Sequence, residues 1–431
     1  MNLGRFGVRF LYALNRVRDE GLLWTTKEVA LRAALWLLWL GLVPLSLPLH
    51  LAGYRRLPVL TQRIGHLAAE VDCFLKKVRL GQIDGAGKRF FILAPKHKVA
   101  NACLLDYWRD YLTVVNHPVA CWLLELMTRG PLMRFGIKNY VLAIGRAAEY
   151  FAVQATWADR PALLQLRPEH KSRGEQFLKE VGLPEGAWFV CFHSRDGGYS
   201  ARDESVHGYR NLTVEFLIPA MQEIVALGGW CVRMGDASTK PLAPMAGVID
   251  YAHHRARSAE LDVFLCASCR FFLGNTSGLF LVSSIFGIPS ALTNQTPFAA
   301  TGFRPGDLSI PKPIRYVGHS EFLTAAEILS HPVANFRMAR FYAEADLEIV
   351  ENTADEIRDL VLEMIDTLEG RSHETAEVAL LRSGFNENLR PDHYCYGTKG
   401  KLSATFLLRH RSMFLEPPAA IDESLPRTIG P

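Results

Sequence analysis

Residues 270–292 read RFFLGNTSGLFLVSSIFGIPSAL, and the fold is decided there. The apolar run Arg270–Leu273 meets a small polar turn, Asn275-Thr276-Ser277-Gly278; Leu279–Phe286 then has helical spacing, and Pro289–Leu292 is again strand-like. A strand, a turn, a helix and a second strand at such short range form a βαβ unit, because parallel strands require a crossover connection. Upstream the alternation continues. After Pro184-Glu185-Gly186 come a strand at Ala187–Phe192, a helix over 213–227, a strand at Trp230–Met234, a short strand at Val248–Ala252 and a helix at Ala259–Ala267. This order predicts a doubly wound parallel sheet over 176–370, which binds ligands outside the carboxyl ends of its strands. Helices near 323–330 and 338–368 are expected around it, and residues 371–431, polar and Pro-containing, read as a C-terminal extension.

The first half is an α/β alternation of the same kind, less sharply written. Pro58–Leu60 reads as a strand, Arg63–His66 as a Gly-containing turn, and the stretch through Phe74 to Val78 as an amphipathic helix. Arg89–Ala94 is a buried parallel strand by composition, and Asn101–Leu112 has helical spacing. Leu123–Met133 looks helical, Tyr140–Ile144 strand-like, and Arg160–His170 like a linker. The expectation is therefore an α/β protein of two Rossmann-like doubly wound domains facing a cleft, the first over 57–175 and the second over 176–370.

The chain has 431 residues, 49% of them hydrophobic, and a net charge of +4. Residues 1–56 hold eight Lys/Arg against Asp19, Glu20 and Glu28, a local +5 that leaves the remainder near neutral. Such a distribution argues against a nucleic-acid partner, which would call for a basic stripe across the folded domain. Ala33–Tyr54 contains no charge and two tryptophans, Trp36 and Trp39, and is long enough to cross a bilayer. Pro44, Pro48 and His50 interrupt it. Three readings stay open: a helix or hairpin resting on the cytoplasmic face of a membrane, a span, or a helix packed on the protein's own surface. No secretory signal is read, since the apolar run begins late and no small-residue cleavage site follows. The eight cysteines are scattered through apolar runs, as in a reduced, cytoplasmic protein. The single CxxC, Cys266-Ala-Ser-Cys269, has no partner at zinc-ligand spacing, so neither a metal nor a resident cofactor is expected.

Four polar clusters follow the strands of the second half: His193-Ser194-Arg195-Asp196, Arg233-Met234-Gly235-Asp236, His253–Ser258 and Asn275-Thr276-Ser277-Gly278. A parallel sheet brings them to one edge. The Asn-Thr-Ser-Gly turn leads into a helix, where backbone N–H groups and the helix dipole favour phosphate; a plain N-cap is the competing reading. Arg195 and Arg233 suit a diphosphate leaving group, although either alone serves equally as a surface ion-pair former. Gly235 permits a close turn, and Asp236 suits ribose or sugar hydroxyls as well as a turn. Gly198–Asn211 reads as a loop over the site, with His207, Tyr209 and Arg210 as ligand contacts on the acceptor side. In the first half, His66 in the Ile64-Gly65-His66-Leu67 turn is a candidate general base or, alternatively, a capping histidine. Lys96, His97, Glu70 and Asp72 are secondary candidates for acceptor binding or for the base.

The run from Trp188 to Pro297, through HSRD, YRN, RMGD, DYAHHRARSAELDVFLCASCRFFLGNTSG and IFGIPSALTN, resembles bacterial glycosyltransferases of GT-B architecture, and the IGHL turn at Ile64–Leu67 supports the likeness. The resemblance implies transfer of a sugar from a nucleotide-sugar donor held by Arg195, Arg233, Asn275, Thr276, Ser277 and Gly278. The acceptor, a saccharide or a lipid-linked envelope component, would sit on the first domain. It also implies metal-independent, inverting transfer with His66 as base, since the chain is read as having neither a DxD motif nor the Glu-x7-Glu pattern of the retaining branch. Two other readings compete. A nucleotide-sugar epimerase or hydrolase on the same fold would release free sugar without acceptor, and a non-catalytic membrane-associated scaffold would show no nucleotide binding.

Overall fold

The computed structural model describes residues 22–128, 137–140, 148–197, 201–300, 302 and 304–415. Over the first part of the chain the order is α1 (Leu22–Leu51), β1 (Tyr54–Arg56), α2 (Ile64–Arg79), β2 (Arg89–Leu93), α3 (Ala102–Trp108), β3 (Thr113–Val115), α4 (Pro118–Met127), β4 (Lys138–Asn139), α5 (Ala148–Trp157) and α6 (Pro168–Glu180). The first strand lies just before the stretch 58–60 in which it is expected. Leu57 still donates its N–H to Phe91, and Pro58, which has no N–H, ends the ladder. The apolar segment stays helical through Pro44 and Pro48, against the expected break. It is bent by 43° between Val29–Leu38 and Leu40–Leu51. A proline ring leaves no room for the carbonyl four residues earlier, which for Pro44 is that of Leu40, next to the bend. No single helix among the described residues is long and apolar enough to cross a membrane.

Residues 160–170, expected as a linker, already contain the start of α6, where Pro168 occupies the first turn and needs no intrahelical partner. The helix expected over 123–133 starts earlier, at Pro118, for the same reason, and its residues 129–133 lie outside the described residues. Pairing expected at 140–144 falls on Lys138–Asn139, with 141–144 likewise outside.

One compact unit comprises the described residues of Met1–Pro58, Gly85–His97 and Leu112–Val141. Its sheet is parallel throughout, in the order β3-β2-β1-β4. Phe91, Leu93, Cys121 and Ile137 form its core, with Leu49 of α1 and Leu124 and Met127 of α4 packed against them.

The second unit comprises Val59–Asp84, Lys98–Tyr111 and the described residues of Leu142–Pro431. Its sheet is built from β5 (Phe189–His193), β6 (Trp230–Arg233), β7 (Val248–Ile249), β8 (Phe272–Gly274), β9 (Ser290–Gln295) and β10 (Leu308–Pro311). Between them run α7 (Ala201–His207), α8 (Ile218–Ala226), α9 (Ala259–Ser268) and α10 (Leu279–Ile285). All pairs are parallel, in the order β7-β6-β5-β8-β9-β10, so the winding reverses between β5 and β8. That reversal is the switch point of a doubly wound sheet, where loops diverge and leave a crevice. The fold class is thus α/β with parallel sheets. β8 and β9 are buried along their whole length, as strands covered on both faces must be.

The remainder follows as β11 (Ile314–Tyr316), α11 (Ala325–Ser330), α12 (Ala339–Glu344), β12 (Leu347–Ile349), α13 (Ala354–Leu368), α14 (Ala376–Glu387), β13 (Lys401–Leu402), α15 (Ala404–Arg409) and α16 (Arg411–Leu415). The long helix expected over 338–368 is therefore three elements. Asp346 takes a left-handed φ of 53°, which ends α12, and Thr353 with Glu356 forms the capping box that starts α13. The C-terminal segment is no mere appendage, since β13 pairs with β10 at the sheet edge; residues 416–431 lie outside the described residues.

Candidate functional site

At the carboxyl ends of β5 and β8 the second unit encloses a cavity of about 490 Å³. Its floor is a contact between two helix starts. Arg63, the N-cap of α2, and the first-turn residues Ile64, Gly65 and His66 line it from one side, and Thr276, Ser277 and Gly278 from the other. A β-carbon on Gly65 would stand 2.7 Å from Cα of Gly278, and one on Gly278 would stand 2.9 Å from the Gly65 nitrogen. Only hydrogens permit that approach. Helix α2 is 16 residues long and has no side-chain cap, so its first-turn N–H groups give the cavity a positive backbone end.

The turn after β8 divides its polar groups between structure and site. Asn275 is fully buried; its Oδ1 accepts the Arg195 N–H at 3.0 Å and its Nδ2 donates to the Arg210 carbonyl at 2.6 Å. The Thr276 hydroxyl donates to the Thr296 carbonyl and accepts its N–H, both at 3.1 Å. These two side chains therefore clamp neighbouring segments. Ser277 Oγ, buried and without a partner, is the hydroxyl left for a ligand.

Arg63, Arg195, Arg210, Arg257 and Arg337 line the cavity against Asp196, Asp236 and Asp262. Arg210 donates through Nε at 3.0 Å and Nη2 at 2.5 Å to the Thr276 carbonyl. Burial pulls its pKa down to about 10; Tyr209 opposes the fall, while the like charges of Arg195, Arg337 and Arg63 add to it. A guanidinium crowded by other guanidiniums is a place where an anion is stabilised. Arg195 donates to the His207 carbonyl at 3.2 Å and to Asn211 Oδ1, and Glu204 stands 3.7 Å away. His207 and Tyr209 also line the cavity.

On the opposite wall His66 Nδ1 lies 2.5 Å from Glu70 Oε1, one helical turn on. Glu70 is buried, and its other oxygen accepts the Leu60 N–H at 3.2 Å. A carboxylate fixed in this way accepts from Nδ1–H, so that in the neutral ring the lone pair lies on Nε2. Asp262 accepts the Tyr251 hydroxyl at 3.0 Å; burial raises its carboxyl pKa, against the hydrogen bonds from Tyr251 and Asn101 and the charge of Arg257. Asp236 caps its own turn through the Ser238 N–H at 2.8 Å, and Gly235 beside it has φ 145°. Burial would raise the Asp236 pKa, but the Ser238 hydrogen bonds and the Arg257 charge bring it below the usual value.

Several candidates stand elsewhere. Arg233 is 1% exposed, donates to the Lys240 carbonyl at 2.5 Å and lies 3.5 Å from the Asp250 carboxylate, outside the cavity lining. Its Nη1 is held by its own loop, while Nη2 is buried without a hydrogen-bond partner. Lys96 and His97 belong to the first unit, in an exposed 3-10 turn. Asp72 is fully buried, 2.7 Å from the Lys76 ammonium and 3.1 Å from Gln154, a lock between α2 and α5. Against the expectation, glutamates at x7 spacing do occur, at Glu20/Glu28, Glu215/Glu223, Glu348/Glu356 and Glu369/Glu377, and among the described residues none of these lines the cavity.

The cavity also takes in residues that the strand-end clusters do not signal: Tyr150, Phe151, Arg337 and Tyr394. Tyr150 Oη is buried without a partner; burial and the nearby Glu70 charge raise its pKa. Among the described residues no group of three or more His, Cys, Asp or Glu is placed to hold a metal ion.

No family model matches the chain, and no curated protein matches it. Similar solved structures include E. coli ADP-heptose LPS heptosyltransferase II, at 13% identity over 55% of this chain and 84% of that one, with a TM-score of 0.37. A glycosyl transferase of family 9 from Veillonella parvula is similar at 12% identity over 56% and 80%, with a TM-score of 0.35. The spinosyn forosaminyltransferase SpnP is similar at 11% identity over 84% and 99%, with a TM-score of 0.29.

Proposed function

We propose that the protein is a glycosyltransferase that moves a sugar from a nucleotide-sugar donor to a hydroxyl of a saccharide or lipid-linked acceptor, with inversion and without need of a metal ion. The observation that carries this reading is the Gly65–Gly278 contact. It brings the first turn of α2, with His66 beside Glu70, against the Thr276–Gly278 turn in one cavity, and that pairing supports a phosphate cradle next to a base. The N-terminus of α2, Arg63, Ser277 and the Arg195–Arg210 cluster surround the place for a diphosphate, and their positive charge is fixed before the reaction begins.

In the transfer, the acceptor oxygen forms a bond to the anomeric carbon as the bond from that carbon to the diphosphate oxygen breaks. The electron pair leaves on the diphosphate, where the guanidiniums and the helix end stabilise it, and the acceptor proton passes to His66 Nε2. Glu70 stabilises the imidazolium that results. Asp236 and Asp262 are suited to sugar or ribose hydroxyls. Arg233 has no part in this scheme.

The test is a thermal-shift screen of the full chain against UDP, GDP, CMP, ADP and dTDP, followed by transfer assays with the matching sugar nucleotides. One nucleotide should raise the melting temperature. Arg63→Ala, an exposed N-cap position, should weaken it by roughly tenfold or more, as the loss of a charge-assisted contact does. His66→Ala should bind it normally while losing roughly 10²–10⁴ in kcat. No shift with any nucleotide would sink the proposal, and sugar release independent of acceptor would convert it to a hydrolase.

A further inference from the structure

Helix α1 has two apolar faces, and the described residues of the protein cover one of them. Leu42 and Ser46 are buried, and Leu49 packs on the core of Phe91, Leu93, Cys121 and Ile137. On the other side Trp36, Leu40, Leu47 and Leu51 fall at spacings of four, seven and four, a single helical face, and are 39–75% exposed. Helix α4, which packs against α1, exposes Val119 and Trp122 as well. Monomeric soluble surfaces rarely expose so many large apolar residues together.

We propose that α1 lies in the plane of a bilayer that contains anionic lipid, with its uncovered face in the boundary between headgroups and acyl chains. Charge selects this occupant over a second copy of the chain. Residues 1–56 carry a net +5, and Lys27 is exposed at the start of the helix; two such segments repel each other, whereas an anionic leaflet attracts both. Exposed indoles at Trp36 and Trp122 suit the headgroup level, where one edge of the ring is wet and the rest apolar. Geometry selects lying over crossing. The halves Val29–Leu38 and Leu40–Leu51 are bent by 43°. Together, at about 1.5 Å per residue, the two halves are long enough for the ~30 Å hydrocarbon core, so length does not decide and the commitment of one face to protein does. That face is the one of Leu42 and Ser46. The inference does not rest on the transfer chemistry, because every cavity-lining residue lies in the other unit.

The experiment is flotation of the full chain with phosphatidylcholine vesicles, with and without about 30% phosphatidylglycerol. Wild type should float with the anionic vesicles and be released by alkaline carbonate. The double variant Leu40→Glu/Leu47→Glu should float roughly tenfold less or worse, with its melting temperature and nucleotide shift unchanged. Failure to float with either vesicle, equal flotation of the variant, or resistance to carbonate would overturn the proposal. So would a dimer in light scattering that the variant splits, since a second copy would then cover the face. Nucleotide binding, read on the same samples, succeeds or fails separately.

Discussion

His193 ends β5, and its Nδ1 stands 3.1 Å from the Met234 carbonyl, so Nδ1 carries the proton and donates it. Burial lowers its pKa below 6.5, against that hydrogen bond and the nearby Asp196. At neutral pH the residue therefore offers the cavity a lone pair rather than a charge. The same shift fixes a stability trend. Between the folded pKa and 6.5 the unfolded chain binds a proton that the folded chain refuses, so stability rises with pH across that window and is lost as pH falls through it. The slope from one group is at most about 1.4 kcal/mol per pH unit. His193→Gln keeps a donor for Met234 without titrating. Denaturant unfolding from pH 8 to 5 should show wild type losing stability relative to the variant below about 6.5. Parallel curves would mean that burial of His193 does not set its charge.

The contact between the first turns of α2 and α10 is a property of two elements, and it can be separated from ordinary helix propensity. Alanine in place of Gly65 in a helix should stabilise by up to about 1 kcal/mol. Here its β-carbon would press on backbone at 2.7 Å, which cannot yield as a flexible side chain does. Gly65→Ala should therefore destabilise by roughly 1–3 kcal/mol in denaturant unfolding and weaken nucleotide binding; unchanged or raised stability would show that the helices separate freely. The alternation around this contact was readable from 187 to 292, because buried parallel strands are short apolar runs and the turns carry Gly or small polar residues. What escaped reading was the direction of each polar group. Thr276 is a clamp because Thr296 lies opposite, and Asn275 because Arg195, 80 residues away, presents its N–H. Arg337 and Tyr394 reach the cavity with no local pattern to announce them, since only tertiary packing brings them there.

At the scale of the whole molecule, the C-terminal segment tests where the folding unit ends. Its polar, Pro-containing composition suggests an appended tail. Yet β13 extends the sheet through Leu308↔Lys401 and Ser309↔Leu402. Glu363 of α13 accepts from Ser403 Oγ at 2.6 Å and from the Ala404 N–H at 2.8 Å, while Arg382 donates through Nε and Nη2 to the Leu402 carbonyl. Leu381, Phe385, Leu402, Phe406 and Leu407 are all buried. The segment also delivers Tyr394 to the cavity, its ring stacked at 6.3 Å from Phe151. Each large buried side chain removed costs about 2–5 kcal/mol, and a domain is stable by only about 5–15 kcal/mol in total. Removing residues 372–431 should therefore cost more than the molecule has in reserve. The shortened chain is expected to lose its cooperative melting transition in calorimetry and, with it, any nucleotide-dependent shift. A transition within a few degrees of that of the full chain would show instead that β10 tolerates an open edge and that the parallel sheet from β7 to β10 folds as a self-sufficient unit.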